Sequence, residues 1–103
     1  MNMSSSTDVE IGSLITRSPE IKGGRPRIAG TGITVKRIAA WHQSGMQPEE
    51  IAAQFEHLNL AQVHAALAYY YGNRQEIEAD IADEAAEYDR LYAESKTGSK
   101  PKP

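Results

Sequence analysis

The sequence predicts a mainly α-helical domain, in which a three-helix core of the helix-turn-helix type follows a short N-terminal β-arm and precedes an extra amphipathic helix. Three observations lead to this fold class. Apolar residues recur at helical spacing from about residue 35 onward. Helix-capping and helix-ending residues divide that region into segments. Before it, glycines and prolines separate short β-like runs.

The β-arm is predicted where the apolar runs are too short for helices. Extended runs are expected at residues 14–16, 27–29 and 33–35. The turn formers between them are Ser18-Pro19, Gly23-Gly24, Pro26 and Gly30-Thr31-Gly32. A ribbon of two or three strands is barely stable alone, so we expect it to pack on the helices or on another protomer.

The first two helices are predicted from their ends. Thr34 is a suitable N-cap for a helix over about 35–44, which Gly45 can end in the left-handed conformation. Pro48 is a favoured first residue of a second helix, which is expected to reach about Phe55 and to bury that ring.

A third and a fourth helix follow. Asn59 is the expected N-cap of the third helix, and Asn73 with Glu76 resembles a capping box for a fourth over about 74–95. The inward positions expected on the third helix are Leu60, Val63, Leu67 and Tyr70 or Tyr71.

The 103 residues suffice for one domain. The expected divisions are a disordered leader over 1–10, the β-arm with the three-helix core over 11–72, the acidic amphipathic helix over 73–95 and a disordered tail over 96–103.

Charge is distributed unevenly, although the whole chain has a net charge of only −3. Residues 17–37 have a net charge of +5, whereas residues 74–94 have a net charge of −6. A basic front and an acidic back indicate two different partners, unless both are simply solvated faces.

Catalysis has little support in the sequence. The absence of cysteine excludes a disulfide scaffold, a thiol nucleophile and a thiolate metal site. His42, His57 and His64 do not have the spacing of metal ligands, and no nucleophile has a paired base. We therefore expect no enzyme, no metal and no cofactor. No apolar stretch is long enough to span a membrane, and no signal peptide is recognisable, so we expect a cytoplasmic protein.

DNA binding is one candidate function of the helical core. In a helix-turn-helix, the third helix enters the major groove, and here its exposed positions are expected to include Gln62, His64, Ala65 and Tyr69. This helix contains no Lys or Arg, so phosphate contacts would have to come from the basic segment. The candidate DNA-binding residues are Arg25, Arg27, Lys36, Arg37, Gln62 and His64.

Protein binding is the other candidate function. The composition of the run Tyr69-Tyr70-Tyr71 is typical of an interface core, and we expect it to contribute to a homodimer. The fourth helix has an apolar stripe on a strongly acidic surface. The candidate partner-binding residues on it are Ile77, Ile81, Glu84, Tyr88 and Leu91.

Three motifs resemble those of domain-of-unknown-function family 433. They are ITRSPEIKGGRPRIAGTGITV from Ile15, SGMQPEEIA from Ser44 and HLNLAQVHAALAYY from His57. The resemblance covers about residues 14–71. The family usually has Gly-Thr-Arg-Ile where this chain has Gly30-Thr31-Gly32-Ile33, so the basic side chain expected at Gly32 is missing.

The resemblance implies a homeodomain-like helical domain with a short β-arm, in a small prokaryotic protein. It also implies a VapB-type antitoxin that is encoded beside a PIN-like ribonuclease. The expected function is therefore non-enzymatic neutralisation of that toxin by the C-terminal helix, with operator DNA as a further ligand. The alternatives are a stand-alone DNA-binding regulator of the helix-turn-helix type and a structural protein-interaction module.

Overall fold

The computed structural model describes residues 8–96, and the protein is mainly helical. The helices are α1 (Val35–Gln43), α2 (Pro48–Ala52), α3 (Leu60–Gly72) and α4 (Arg74–Lys96). Most of the leader and of the tail expected from the sequence lies outside the described residues. The four expected helices are present, in the expected order.

The β-arm is a two-stranded antiparallel ribbon. Strand β1 (Ile15–Thr16) pairs with strand β2 (Arg27–Ile28), and Ile15 lies opposite Ile28. Short 3₁₀ turns, Ile11–Leu14 and Lys22–Gly24, precede each strand. The third expected strand is reduced to one bridge, between Arg27 and Thr34. Ile28 is fully buried, so the arm packs on the helical core of its own chain.

Side-chain caps determine where α1 and α3 begin. The Thr34 hydroxyl accepts a hydrogen bond from the backbone N–H of Arg37 at 3.2 Å. Asn59 and Gln62 form a reciprocal capping box, in which each side-chain oxygen accepts from the other residue's backbone N–H at 2.9 and 2.8 Å. Both caps satisfy N–H groups that have no partner within the helix.

One expected helix end and one expected cap are wrong in detail. Helix α2 ends at Ala52, and Phe55 beyond it is half-buried against the ring of Trp41. The capping box expected from Asn73 and Glu76 does not form. The Asn73 amide instead donates to the Tyr69 carbonyl at 3.0 Å, and the Glu76 carboxylate accepts from the Tyr69 hydroxyl.

The hydrophobic core joins all four helices and the arm. Its buried members are Ile28, Val35, Ile38, Ala39, Ile51, Val63, Ala66, Leu67, Tyr70 and Ile77. Ile77 belongs to α4 and has no exposed surface, while Ile81 one turn later is half-buried against the same cluster. The helix expected from residue 73 therefore begins where the sequence indicates, and its first two turns are part of the core.

Candidate interaction surfaces

The basic segment and the acidic helix contact each other within this chain. Three ion pairs join them: Arg17 with Glu76, Arg25 with Asp80 and Lys36 with Glu84. The last two have N–O distances of 3.4 Å. The three acids are four residues apart and so lie on one face of α4. The basic segment and the acidic helix therefore neutralise part of each other's charge, so these charges do not serve external partners alone.

The first of these pairs is the centre of a small polar cluster. The Arg17 guanidinium donates to the Tyr69 hydroxyl at 2.8 Å and to the Glu76 carboxylate. These hydrogen bonds, the one to Glu76 first and the one to Tyr69 second, raise the pKa of Arg17 above its usual value. Tyr69 is half-buried and its hydroxyl is engaged in this cluster, while its expected role in a dimer surface or on the DNA-facing side of α3 stays a prediction.

The cations proposed for DNA binding have unequal access to solvent. Arg27 is buried and donates to the Thr31 carbonyl at 3.0 Å and to the Ser18 hydroxyl at 2.8 Å. It therefore braces the arm, and its assignment as a phosphate ligand is wrong. Arg25 and Lys36 lie in the ion pairs with α4 and would have to exchange those partners to bind a phosphate.

A shallow cleft of about 450 Å³ lies beside the start of α1. Its lining includes Lys22, Lys36, Arg37, Trp41 and Glu84. The Arg37 guanidinium is exposed and stands 5.8 Å from the centre of the Trp41 ring, a cation–π distance. The lining of the cleft therefore combines cationic side chains with the carboxylate of Glu84 from α4.

Helix α3 exposes a different face from the one expected. Ala65 is buried, and Gln62 is half-buried in the capping box, while His64 is exposed as expected. Leu60, expected inside, is 40% exposed. Apart from the terminal Gly72, the exposed positions on α3 form one stripe, which consists of Leu60, Ala61, His64, Ala68 and Tyr71. We call these five residues the α3 stripe, and none of them is Lys, Arg, Asp or Glu.

The other two tyrosines of the run have different roles. Tyr70 is buried in the core, where its hydroxyl accepts from Gln43 and donates to Glu78, each at 2.9 Å. Its assignment to a dimer surface is therefore wrong. Tyr71 is exposed, and its hydroxyl lies 2.6 Å from a ring nitrogen of His42.

The outer part of α4 projects from the core. Every residue from 82 to 95 is exposed, including Tyr88 at 67%, Leu91 at 49% and Tyr92 at 54%. The Tyr88 and Tyr92 rings stack with centroids 6.3 Å apart. Of the partner-binding residues expected here, Tyr88 and Leu91 are accessible. Ile77 is not accessible and Ile81 is only partly so, because both pack on the core.

Neither a metal cluster nor a membrane span appears in the part of the chain that the structure describes. Within residues 8–96, no three His, Asp or Glu side chains come together as metal ligands. No helix among them is long and apolar enough to cross a bilayer.

These features define a class of small helical domain, in which a two-stranded arm is held by the first turns of a long, projecting acidic helix. Residues 15–70 match the family described as a protein of unknown function, DUF433. Because the match covers more than half of the chain, the chain belongs to this family. The expectation from its motifs is confirmed at this level.

A solved structure of another DUF433 member, from Anabaena variabilis, has a similar fold. Its TM-score is 0.65 at 25% sequence identity, and the alignment covers 80% of this chain and 99% of that one. No protein among the curated ones compared with it is significantly similar to this chain.

Proposed function

We propose that this chain is a non-enzymatic, VapB-type antitoxin-like protein that neutralises a PIN-like ribonuclease through the outer part of α4. The observation that supports this most is the exposure of Tyr88, Leu91 and Tyr92 on one side of a projecting helix. Aromatic residues on an accessible amphipathic helix are typical of helix-in-groove recognition. Burying a side chain of this size contributes on the order of 1.5–3 kcal/mol.

Charge favours a basic partner for this surface. Residues 82–95 contain five acids and one Arg, for a net charge of −4. A second copy of the same helix would be repelled, whereas a ribonuclease requires a positive surface to approach RNA. The acidic outer part of α4 therefore complements such a surface in charge.

We also propose that α1, α2 and α3 form a homeodomain-like helix-turn-helix. In support, α3 packs on both α1 and α2, and α2 is a single short turn-like helix. The connection over residues 53–59 is longer than the usual three- or four-residue turn of that motif.

Co-purification with the product of the adjacent gene, combined with a ribonuclease assay, tests the toxin-binding role. Leu91→Asp and a chain ending at Glu84 should both lose the toxin and fail to inhibit it. Ending at Glu84 retains Ile77 and Ile81, so the core should keep its thermal transition by circular dichroism. A truncated chain that still binds and inhibits the toxin would show that neutralisation occurs elsewhere.

A matched control is available on the same helix. Ala86 is exposed and lies about 140–160° around the helix from Leu91 and Tyr88. Ala86→Asp introduces the same charge as Leu91→Asp but leaves the aromatic side intact. It should retain toxin binding within about twofold, since it removes no buried contact.

Operator binding is the second candidate, and the partly cationic cleft beside α1 favours it. Arg37→Ala should then weaken duplex binding at all sequences and lower the salt slope by about 0.9. A gel shift with the promoter of the adjacent genes measures both. If no duplex shifts at low salt, the regulator alternative is excluded.

A further inference from the structure

The α3 stripe is an exposed surface of the helical core. Among the described residues, side-chain hydrogen bonds and ring contacts reach it only at its C-terminal end, where Tyr71 meets His42 and Arg74 of the same chain. Its five positions fall within an arc of about 100° and follow the spacing i, i+4, i+8, i+11 from Leu60. Leu60 and Tyr71 at its two ends are exposed large apolar side chains, at 40% and 54%. Ala61 and Ala68 are small enough to let another helix approach closely.

The stripe is complementary to itself when two copies are antiparallel. A two-fold axis that passes beside the middle of the segment 64–68 places Ala61 opposite Tyr71 of the second copy. It also places His64 opposite Ala68 of the second copy. Large side chains then face small ones at both positions, and each contact occurs twice, as an isologous interface requires.

The absence of charged side chains from the α3 stripe also favours a second copy of this chain as its partner. The stripe has no acid or base, so two copies meet without repulsion, whereas a nucleic acid would find no cation there. Beyond its N-terminal end lies the exposed Glu56, and beyond its C-terminal end lies the exposed Arg74, which also pairs with Glu78 of its own chain. In the antiparallel pair, these opposite charges come to the same end of the interface.

We propose that the α3 stripe is the surface on which two copies of this chain form a symmetric antiparallel dimer. Helix α3 is about 18 Å long at 1.5 Å per residue, which gives a small helix–helix seam. Stable complexes bury about 800 Å² per partner. A seam of this length should therefore give a reversible dimer with a dissociation constant in the micromolar range.

Sedimentation equilibrium of the full chain tests the dimer without involving any toxin, so its result is independent of the proposed neutralisation. The wild type should be mainly dimeric at about 100 μM. Ala68→Glu places a long, charged side chain where only a small one fits opposite His64 of the second copy, and it should raise the dissociation constant at least tenfold. Ala86→Glu adds the same charge on exposed α4 and should leave that constant unchanged. A monomeric wild type, or an unaffected Ala68→Glu dimer, would overturn the proposal.

Disulfide trapping tests the register with a substitution at residue 68 that is smaller than glutamate and uncharged, so it disturbs folding less. The natural chain has no cysteine, so introduced thiols are the only ones present. Mixing His64→Cys protein with Ala68→Cys protein under mild oxidation should give the mixed dimer in preference to either homodimer. A statistical mixture of the three dimers would refute this register. A monomer whose Ala68→Glu variant loses duplex DNA would instead assign the stripe to DNA and overturn the dimer.

Discussion

The place of Ile77 in the core provides the sharpest test of how α4 is attached. Ile77→Ala removes three carbons from a side chain with no exposed surface, which packs in the same cluster as residues of α1 and α3. Deletions of this kind cost about 2–5 kcal/mol, because a cavity adds to the lost transfer free energy. A domain of this length has a total free energy of unfolding of roughly 5–15 kcal/mol. The loss is therefore a large fraction of the whole.

Urea denaturation followed by circular dichroism measures this loss. Leu91→Ala is the control, because Leu91 lies on the exposed outer part of the same helix and should change the free energy of unfolding by about 0.5 kcal/mol or less. If Ile77→Ala leaves too little folded protein, Ile77→Val should still cost about 0.5–1.5 kcal/mol. Equal effects of Ile77→Ala and Leu91→Ala would refute the argument that the first turns of α4 complete the core.

Three other substitutions should change the stability of the protein, and the contacts that each one removes give the expected effect. Arg27→Met should lower the free energy of unfolding by about 1–3 kcal/mol in urea denaturation, because it leaves two half-buried acceptors of the arm without their donor. Asn59→Ala should cost about 1 kcal/mol in the same assay through loss of the α3 cap. The hydrogen bond from Arg74 is the main cause that lowers the pKa of Glu78, and the hydrogen bond from Tyr70 is the second. Its contribution is therefore present above the ordinary carboxyl pKa and lost as pH falls, so Glu78→Gln should flatten the acid side of the stability–pH curve below about pH 5.

The Arg27 and Glu78 changes each have a control on the same type of residue. Arg37→Met alters an exposed guanidinium that stacks on Trp41, and it should cost about 1 kcal/mol or less. Glu49→Gln changes an exposed acid of α2 and should leave the pH dependence close to that of the wild type. An Arg27→Met variant as stable as Arg37→Met would show that the buried hydrogen bonds of the arm contribute nothing.

Local structure was largely predictable from the sequence, because it depends on residues a few positions apart. The N-caps Thr34 and Asn59, the proline that begins α2 and the glycine-rich turns of the arm were all recognised from neighbours within four residues. The order of the four helices follows from these signals. The family could also be recognised, since its motifs are contiguous in the chain.

Only the tertiary structure decided which residues meet across the chain. The sequence shows that Arg25 and Lys36 are basic and that Asp80 and Glu84 are acidic, but not that 3.4 Å separates the members of each pair. The pairing depends on Ile77 entering the core, which fixes α4 alongside the arm. The acids at positions 76, 80 and 84 are engaged in these ion pairs within the chain. Beyond Ile81 the helix has nothing of the described core to pack on, so its apolar residues remain exposed because they lie past the end of the core.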